Sequence, residues 1–438
     1  MNRFCLISYI GILSLFSSTL LSQVIYSDGA TISIKTDGIV YSNGGVTLNN
    51  TSDLINDGLL IATKSSVVAH PGDFEILSNS TVSGEGTYRI EQNWINDAQF
   101  IAQNSTVELF GNTEQFITST NGTTTQFNNL TLSGNGINSD RKKTLQNVNS
   151  SVSSSGILNL TDRELNTDIN TFTVENINLS AIQFSNDYLN EGFVSSRVGG
   201  FLVRKMAVTG DYIFPVGSSD GTRRYRAVII DSKTSSAQSY AVRMNNFISD
   251  NEGYPVVQHE AEIDEVNSAY YHSIRRLEGS TDANLIIYYD PSTDKDWESI
   301  AHWSSSQQEW RNIKNAIQQD ESNYSYIEKS GWHFPTDNDE YAFITTAYEL
   351  IIPNVLTPNG DGLNDGFYVT TYGLSEYKIQ IINRWGNLVY ESEDPNGVWD
   401  GKTPSSQDCT EGVYFYTLNA KFKDKEIKEH GFITLIRK

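Results

Sequence analysis

Leu54-Ile55-Asn56-Asp57-Gly58-Leu59-Leu60-Ile61-Ala62 is answered forty positions on by Trp94-Ile95-Asn96-Asp97-Ala98-Gln99-Phe100-Ile101-Ala102, and Ser65-Ser66-Val67 by Ser105-Thr106-Val107. Around the pair lie short β-rich runs broken by Asn, Gly, Ser and Asp, such as Gly45-Val46-Thr47-Leu48, Gly86-Thr87-Tyr88-Arg89-Ile90, Asn129-Leu130-Thr131-Leu132 and Thr171-Phe172-Thr173-Val174. Runs this short cannot each bury a face, so their recurrence implies coils stacked on one another. A forty-residue unit equals two coils of about twenty residues, which predicts a parallel β-helix-like solenoid over residues 23–190. Asn56 and Asn96 are then expected at one corner, two coils apart. The alternative is a twisted sandwich carrying a chance duplication.

Outward from the repeat the pattern changes. Residues 191–350 carry longer alternating runs, among them Tyr212-Ile213-Phe214, Arg224-Tyr225-Arg226-Ala227-Val228-Ile229-Ile230 and Asn284-Leu285-Ile286-Ile287-Tyr288-Tyr289. Their spacing, with turn residues between, predicts an antiparallel β-sandwich. Residues 351–438 read as a third unit, a small Ig-like β-sandwich, with a hairpin turning at Arg384-Trp385-Gly386. The fold class expected is therefore all-β throughout. At the other end, residues 1–22 read as a signal peptide: Met1-Asn2-Arg3, an apolar run from Phe4 to Leu21, and a cut after Ser22. The alternative there is a single membrane anchor; the signal-peptide reading leaves the mature chain with none. Cys5 would leave with the peptide, so Cys409 stands alone and no intramolecular disulfide is expected.

Fifty-three acidic against 31 basic residues give a net charge of −22, which excludes nucleic acid as a partner and opposes anionic lipid. With 38% hydrophobic and 19% charged residues the chain is neither charge-driven disorder nor a polytopic membrane protein.

Five motifs fall in order along the third unit: Leu356-Thr357-Pro358-Asn359-Gly360-Asp361-Gly362-Leu363-Asn364-Asp365; Asn383-Arg384-Trp385-Gly386; Trp399-Asp400-Gly401; Gly412-Val413-Tyr414-Phe415-Tyr416; and Gly431-Phe432-Ile433-Thr434-Leu435-Ile436-Arg437. Together they resemble the gliding-motility-associated C-terminal domain, the type-B sorting domain of the type IX secretion system of Bacteroidetes. The resemblance covers residues 351–438. It implies export to the periplasm and passage across the outer membrane, with the type IX machinery as partner and a secreted or cell-surface product. It also implies that Thr357 to Asp365, Asn383 to Gly386, and Gly431 to Arg437 shape the sorting domain.

Asn359, Asp361 and Asp365 around Gly362 have the oxygen spacing of a calcium loop but lack a distal bidentate Glu, and the same residues make Asx-turns; both readings stay open. Gly217-Ser218-Ser219-Asp220-Gly221 fits G-x-S-x-G, yet a strand resumes at Arg224 where a nucleophile elbow needs a helix, so a hairpin loop is expected. His70, His259, His272, His302, His333 and His430 are scattered without metal-ligand spacing. The expectation is a non-enzymatic exported protein, adhesin-like or structural, with a surface glycan or protein as ligand. Two alternatives stand beside it. One is a carbohydrate-binding adhesin stacking sugars on Trp297, Trp303 and Trp310. The other is a β-helix polysaccharide-degrading enzyme using Asp57 and Asp97, placed about 10 Å apart by two coils.

Overall fold

The computed structural model describes residues 24–65, 71–185, 191–321, 323–335, 340–423 and 425–437; the expected signal peptide and its cleavage point, Cys5 and His70 lie outside them. The chain is all-β, its strands interrupted among the described residues by short 3₁₀ turns at Asn138–Arg141, Leu179–Ala181 and Ser249–Glu252. Contacts divide it into two compact units. The first takes residues up to 256 with 267–309 and 313–343, the second 257–266 with 310–312 and 344–438.

The first unit opens as a solenoid with three faces. One face is an eight-stranded parallel sheet running from Ile25–Asp28 through Val46–Asn49, Phe74–Ile76 and Trp94–Asn96 to Phe193–Ser195. A second is a seven-stranded parallel sheet from Ile39–Asn43 to Ile182–Gln183. The third begins as four strands from Thr31–Ile34 to Gln99–Phe100, and further parallel strands follow at Thr125–Phe127, Ser150–Val152, Thr171–Val174 and Phe201–Met206. Alternate residues of most of these strands turn inward, and the interior is a column of Val, Leu, Ile and stacked rings. The Phe74 and Trp94 rings lie parallel, 4.9 Å apart, with Tyr88 and Phe100 edge-on to Trp94.

The forty-residue repeat does not mark one corner two coils apart. Leu54 stacks on Val82 and Val82 on Phe100, six residues beyond Trp94, whereas Trp94 stacks on Phe74 in a different sheet. Coil length is uneven: Val46 to its partner Phe74 is 28 residues, Phe74 to Trp94 only 20. What repeats is the local unit of strand, Asn corner and strand. The buried Asn56 accepts the Gly58 N–H on Oδ1 (3.1 Å) and donates to the Thr87 carbonyl (3.1 Å). Asn96 accepts the Ala98 N–H (3.2 Å) and donates to Thr125 Oγ1 (3.0 Å). Each Asn thus closes its own turn and ties it to a later segment of the wall. Gly84 shows how closely coils approach, since its φ is +113° and a Cβ there would lie 2.1 Å from the Asn56 carbonyl oxygen.

Strand pairing runs on across residues 190 and 191, where a boundary between solenoid and sandwich was expected. Phe201–Met206 pairs in parallel with Thr171–Val174 on one side and antiparallel with Gln238–Asn245 on the other. Antiparallel order continues from there, and a second antiparallel sheet forms from Gly210–Phe214, Val228–Ser232, Ala283–Tyr289, Ser325–Trp332 and Ile317–Asp320. One hydrophobic cluster spans coils and sandwich, which is why the two do not separate. Among its polar inclusions, Arg226 meets Asp294 at 2.7 Å, and Tyr270 donates to the same carboxylate at 2.7 Å.

Lys143 is a charged residue that the solenoid buries completely. It faces Gln115 in register, and its Nζ donates to Gln115 Oε1 (2.6 Å) and the Gly111 carbonyl (2.8 Å). Burial, with the Arg163 charge adding, pushes its ammonium down from 10.5 to about 7. The folded pKa lies below the unfolded one, so between these values the unfolded chain holds a proton that the folded chain does not. This contribution to stability is fully present above pH 10.5 and is lost as pH falls through 7. The denaturant midpoint is expected to rise between pH 7 and pH 9.5, and the rise to shrink in Lys143→Met. Equal slopes in both proteins would show that Lys143 stays charged.

Candidate functional site

The second unit is built on a five-stranded sheet. Glu376–Ile382 pairs with Leu388–Ser392 and with Gly412–Phe422, the last pairs with Lys425–Leu435, and Val355–Leu356 adds in parallel at Thr434–Leu435. A two-stranded sheet, Glu349–Ile351 with Thr370–Tyr372, accompanies it. Between them lie Leu356, Phe367, Ile381, Trp399, Tyr414, Leu418 and Ile433.

The loop from Thr357 to Asp365 closes on the Asp365 carboxylate. Oδ1 accepts the N–H groups of Asn359 (2.9 Å) and Gly360 (2.6 Å), and Oδ2 accepts that of Gly362 (2.7 Å). The Gly360 and Gly362 bonds hold this carboxyl below its ordinary range. Asn359 Oδ1 takes the Asp361 N–H, Asn359 Nδ2 donates to Asp361 Oδ2, and Asp361 Oδ1 takes the Leu363 N–H. Thr357 ties the base through its N–H to the Asn364 carbonyl and its hydroxyl to that of Leu363, and Pro358 sits between them. The oxygens that sequence spacing offered to calcium therefore serve the loop's own backbone. No group of three or more His, Cys, Asp or Glu placed to hold a metal occurs among the described residues.

Two further motifs hold the fold. Trp399 is fully buried, edge-on to Tyr414 at 5.2 Å, exchanges both backbone bonds with Phe367, and donates its indole N–H to the Lys402 carbonyl. Asp400 Oδ1 caps the same turn at the Lys402 N–H, and Gly401 supplies its left-handed residue (φ +78°). Arg437 then latches the loop: its guanidinium donates to the carbonyls of Gly401 (2.7 Å) and Cys409 (3.0 Å), and it pairs with Asp408 at 3.2 Å. Tyr414 donates to the Thr410 carbonyl beside Gly412, where the strand begins. Gly431 lies opposite Tyr416, whose ring would meet a Cβ there at 2.6–2.8 Å. Cys409 is buried, and burial pushes its thiol up.

The hairpin motif points outward. Asn383 Oδ1 accepts the N–H groups of Trp385 and Asn387, both at 3.0 Å, and Gly386 (φ +82°) completes the turn. This leaves Trp385 73% exposed, with the Arg384 guanidinium 5.5 Å from its ring centre. Beside it the sheet carries a feature that the sequence reading missed. Leu388, Ile382, Phe415 and Phe432 are successive register partners across four strands, on the face opposite the core. Leu388 is 47%, Phe415 46% and Phe432 51% exposed. The next row along, Glu391–Gln380–Thr417–His430, is polar. The available signal was Val413-Tyr414-Phe415-Tyr416, apolar on both parities: a small sandwich buries only one of the two.

Two kinds of residue thus share the motifs, and substitution separates them. Trp399→Ala is expected to cost about 3–5 kcal/mol of stability, and Trp385→Ala less than about 0.5 kcal/mol. Calorimetric unfolding of the two variants checks this; equal losses would contradict the division.

Residues 350–435 match the family model described as the CHU_C type IX secretion signal domain. No curated protein and no solved structure matches the chain. No helix among the described residues is long and apolar enough to cross a membrane. The chain carries, at residues 350–435, a type IX secretion signal domain, which marks it for export to the cell surface or beyond.

Proposed function

We propose that this protein is cargo of the type IX system whose solenoid-and-sandwich unit acts by binding and display at the cell surface, without catalysis, and that the secretion machinery docks on the apolar row of the signal domain. The observation that carries the docking reading is the row itself. Leu388, Ile382, Phe415 and Phe432, with Trp385 beside them, form a solvent-facing apolar patch bounded by a polar row, the pattern of an interaction surface.

The non-enzymatic reading is supported by how the first unit spends its polar groups. Asp97 accepts the Ser119 hydroxyl (2.9 Å) and both the N–H (2.6 Å) and hydroxyl (2.5 Å) of Thr120, and Asp57 accepts the Glu85 N–H at 3.3 Å. They hold separate corners, which favours a structural role for each over the acid–base pair that glycoside chemistry requires. Gly217–Ser218 pairs with Arg224–Tyr225 as a hairpin, not as the entry to a helix. The three tryptophans that the adhesin alternative offered as a sugar platform are buried: Trp297, Trp303 and Trp310 serve packing.

Cell fractionation tests the address. Deleting residues 351–438 is expected to leave the protein inside the outer membrane, and the double substitution Phe415→Ser with Phe432→Ser to do the same while the chain still folds. Wild-type distribution of the deletion would remove the address role. Wild-type distribution of the double variant alone would move the docking surface elsewhere on the domain.

A further inference from the structure

The G-x-S-x-G loop that failed as a nucleophile elbow forms one wall of a cleft in the first unit. The opposite wall is the 3₁₀ turn Asn138–Arg141 with the adjoining strands Lys142–Gln146 and Glu164–Asn166, and the enclosed volume is about 320 Å³. That is the lower end of the size range for small-molecule sites.

In a chain of net charge −22, three cations line this one cleft: Arg141, Lys142 and Arg223. The two guanidiniums converge because both donate to the Glu191 carbonyl, at 3.4 and 3.1 Å. Burial, then the neighbouring charge of Arg223, lowers the Arg141 pKa, so an anion placed between them would be favoured. Arg141 donates to the described protein only through Nη2, leaving its other N–H groups for a ligand. Arg223 is itself paired through Nη1 with the buried Glu191 carboxylate at 3.2 Å, so a ligand carboxylate would meet the free N–H groups of Arg141 and the remaining ones of Arg223.

The cleft is not a simple anion hole. Asp220 and Glu164 line it too, Asp220 held by Lys142 at 2.5 Å and Glu164 accepting the Ser195 hydroxyl at 2.6 Å. An inorganic oxyanion offers only acceptors and would be repelled by both. A ligand bearing hydroxyl donors beside its charged group satisfies both sets of neighbours. Asn138, Ser139 and Ser219 add side chains that make no hydrogen bond among the described residues.

We infer that this cleft binds an acidic saccharide. The uronate carboxylate is received by Arg141 and Arg223, and ring hydroxyls by Asp220 and the neighbouring Ser and Asn side chains. This deepens the binding role proposed above and names its ligand class.

Titration calorimetry on the purified full chain tests it, with trigalacturonate and a glucuronate-containing oligosaccharide as probes, xylotriose as the neutral control and sulfate as the bare anion. Binding of at least one acidic probe is expected, weakened roughly tenfold or more by Arg223→Gln and by Arg141→Gln, with neutral xylotriose and sulfate bound at least tenfold less tightly. Arg223 also pairs with the buried Glu191 carboxylate at 3.2 Å, so its variant is expected to melt lower than the wild type, and a native circular dichroism spectrum at the titration temperature separates lost binding from lost folding. Absence of binding to both acidic probes, equal binding of xylotriose, or equal binding of sulfate would each overturn the assignment. The measurement does not depend on export, so its failure leaves the address reading untouched.

Discussion

Strands of two to five residues cannot satisfy their own backbone. In the solenoid each finds its N–H and C=O partners in the coils before and after it, so no coil is stable without its neighbours. Everything else in the first unit answers to that constraint. Glycines stand where one backbone passes over another, buried asparagines replace the hydrogen bonds lost at corners, and the interior is filled by residues of alternate parity. Even Lys143 is tolerated because two oxygens, the Gly111 carbonyl and Gln115 Oε1, accept its N–H groups.

The stack also needs an ending. A last parallel strand would expose a row of unpaired backbone groups, a template for aggregation. Phe201–Met206 resolves this by taking an antiparallel partner on its far side, so the sheet changes character without acquiring an edge there. Solenoid and sandwich accordingly share one interior, and the compositional shift near residue 190 marks a change of strand direction inside a single unit.

Much of this was legible. Short β-rich runs between Asn and Gly identified stacked coils, and five ordered motifs identified the signal domain from its last fifth of the chain. The phase of the coils was not legible, because a local repeat reports the geometry of its own corner and carries no count of the residues in the loops between. Leu54 and Trp94 look equivalent in sequence and lie in different sheets. Burial was equally hidden. Trp385 and Trp399 both stand in turns with a glycine one or two residues on, yet one lies on a hairpin tip and the other under a loop latched by Arg437. Which of two apolar parities a strand such as Val413-Tyr414-Phe415-Tyr416 turns inward depends on partners distant in the chain.

The unevenness of the coils has a bearing on how such a protein can change over generations. Each coil touches only the one before and the one after, and each adds about 4.8 Å of rise whatever its loops contain. Surface loops can therefore lengthen, as between Val46 and Phe74, without altering the pitch, and a whole coil can be gained or lost without disturbing the strand that closes the stack. Reach becomes a quantity set by coil number, adjustable in steps of one coil, while the charged cleft and the export address are inherited unchanged.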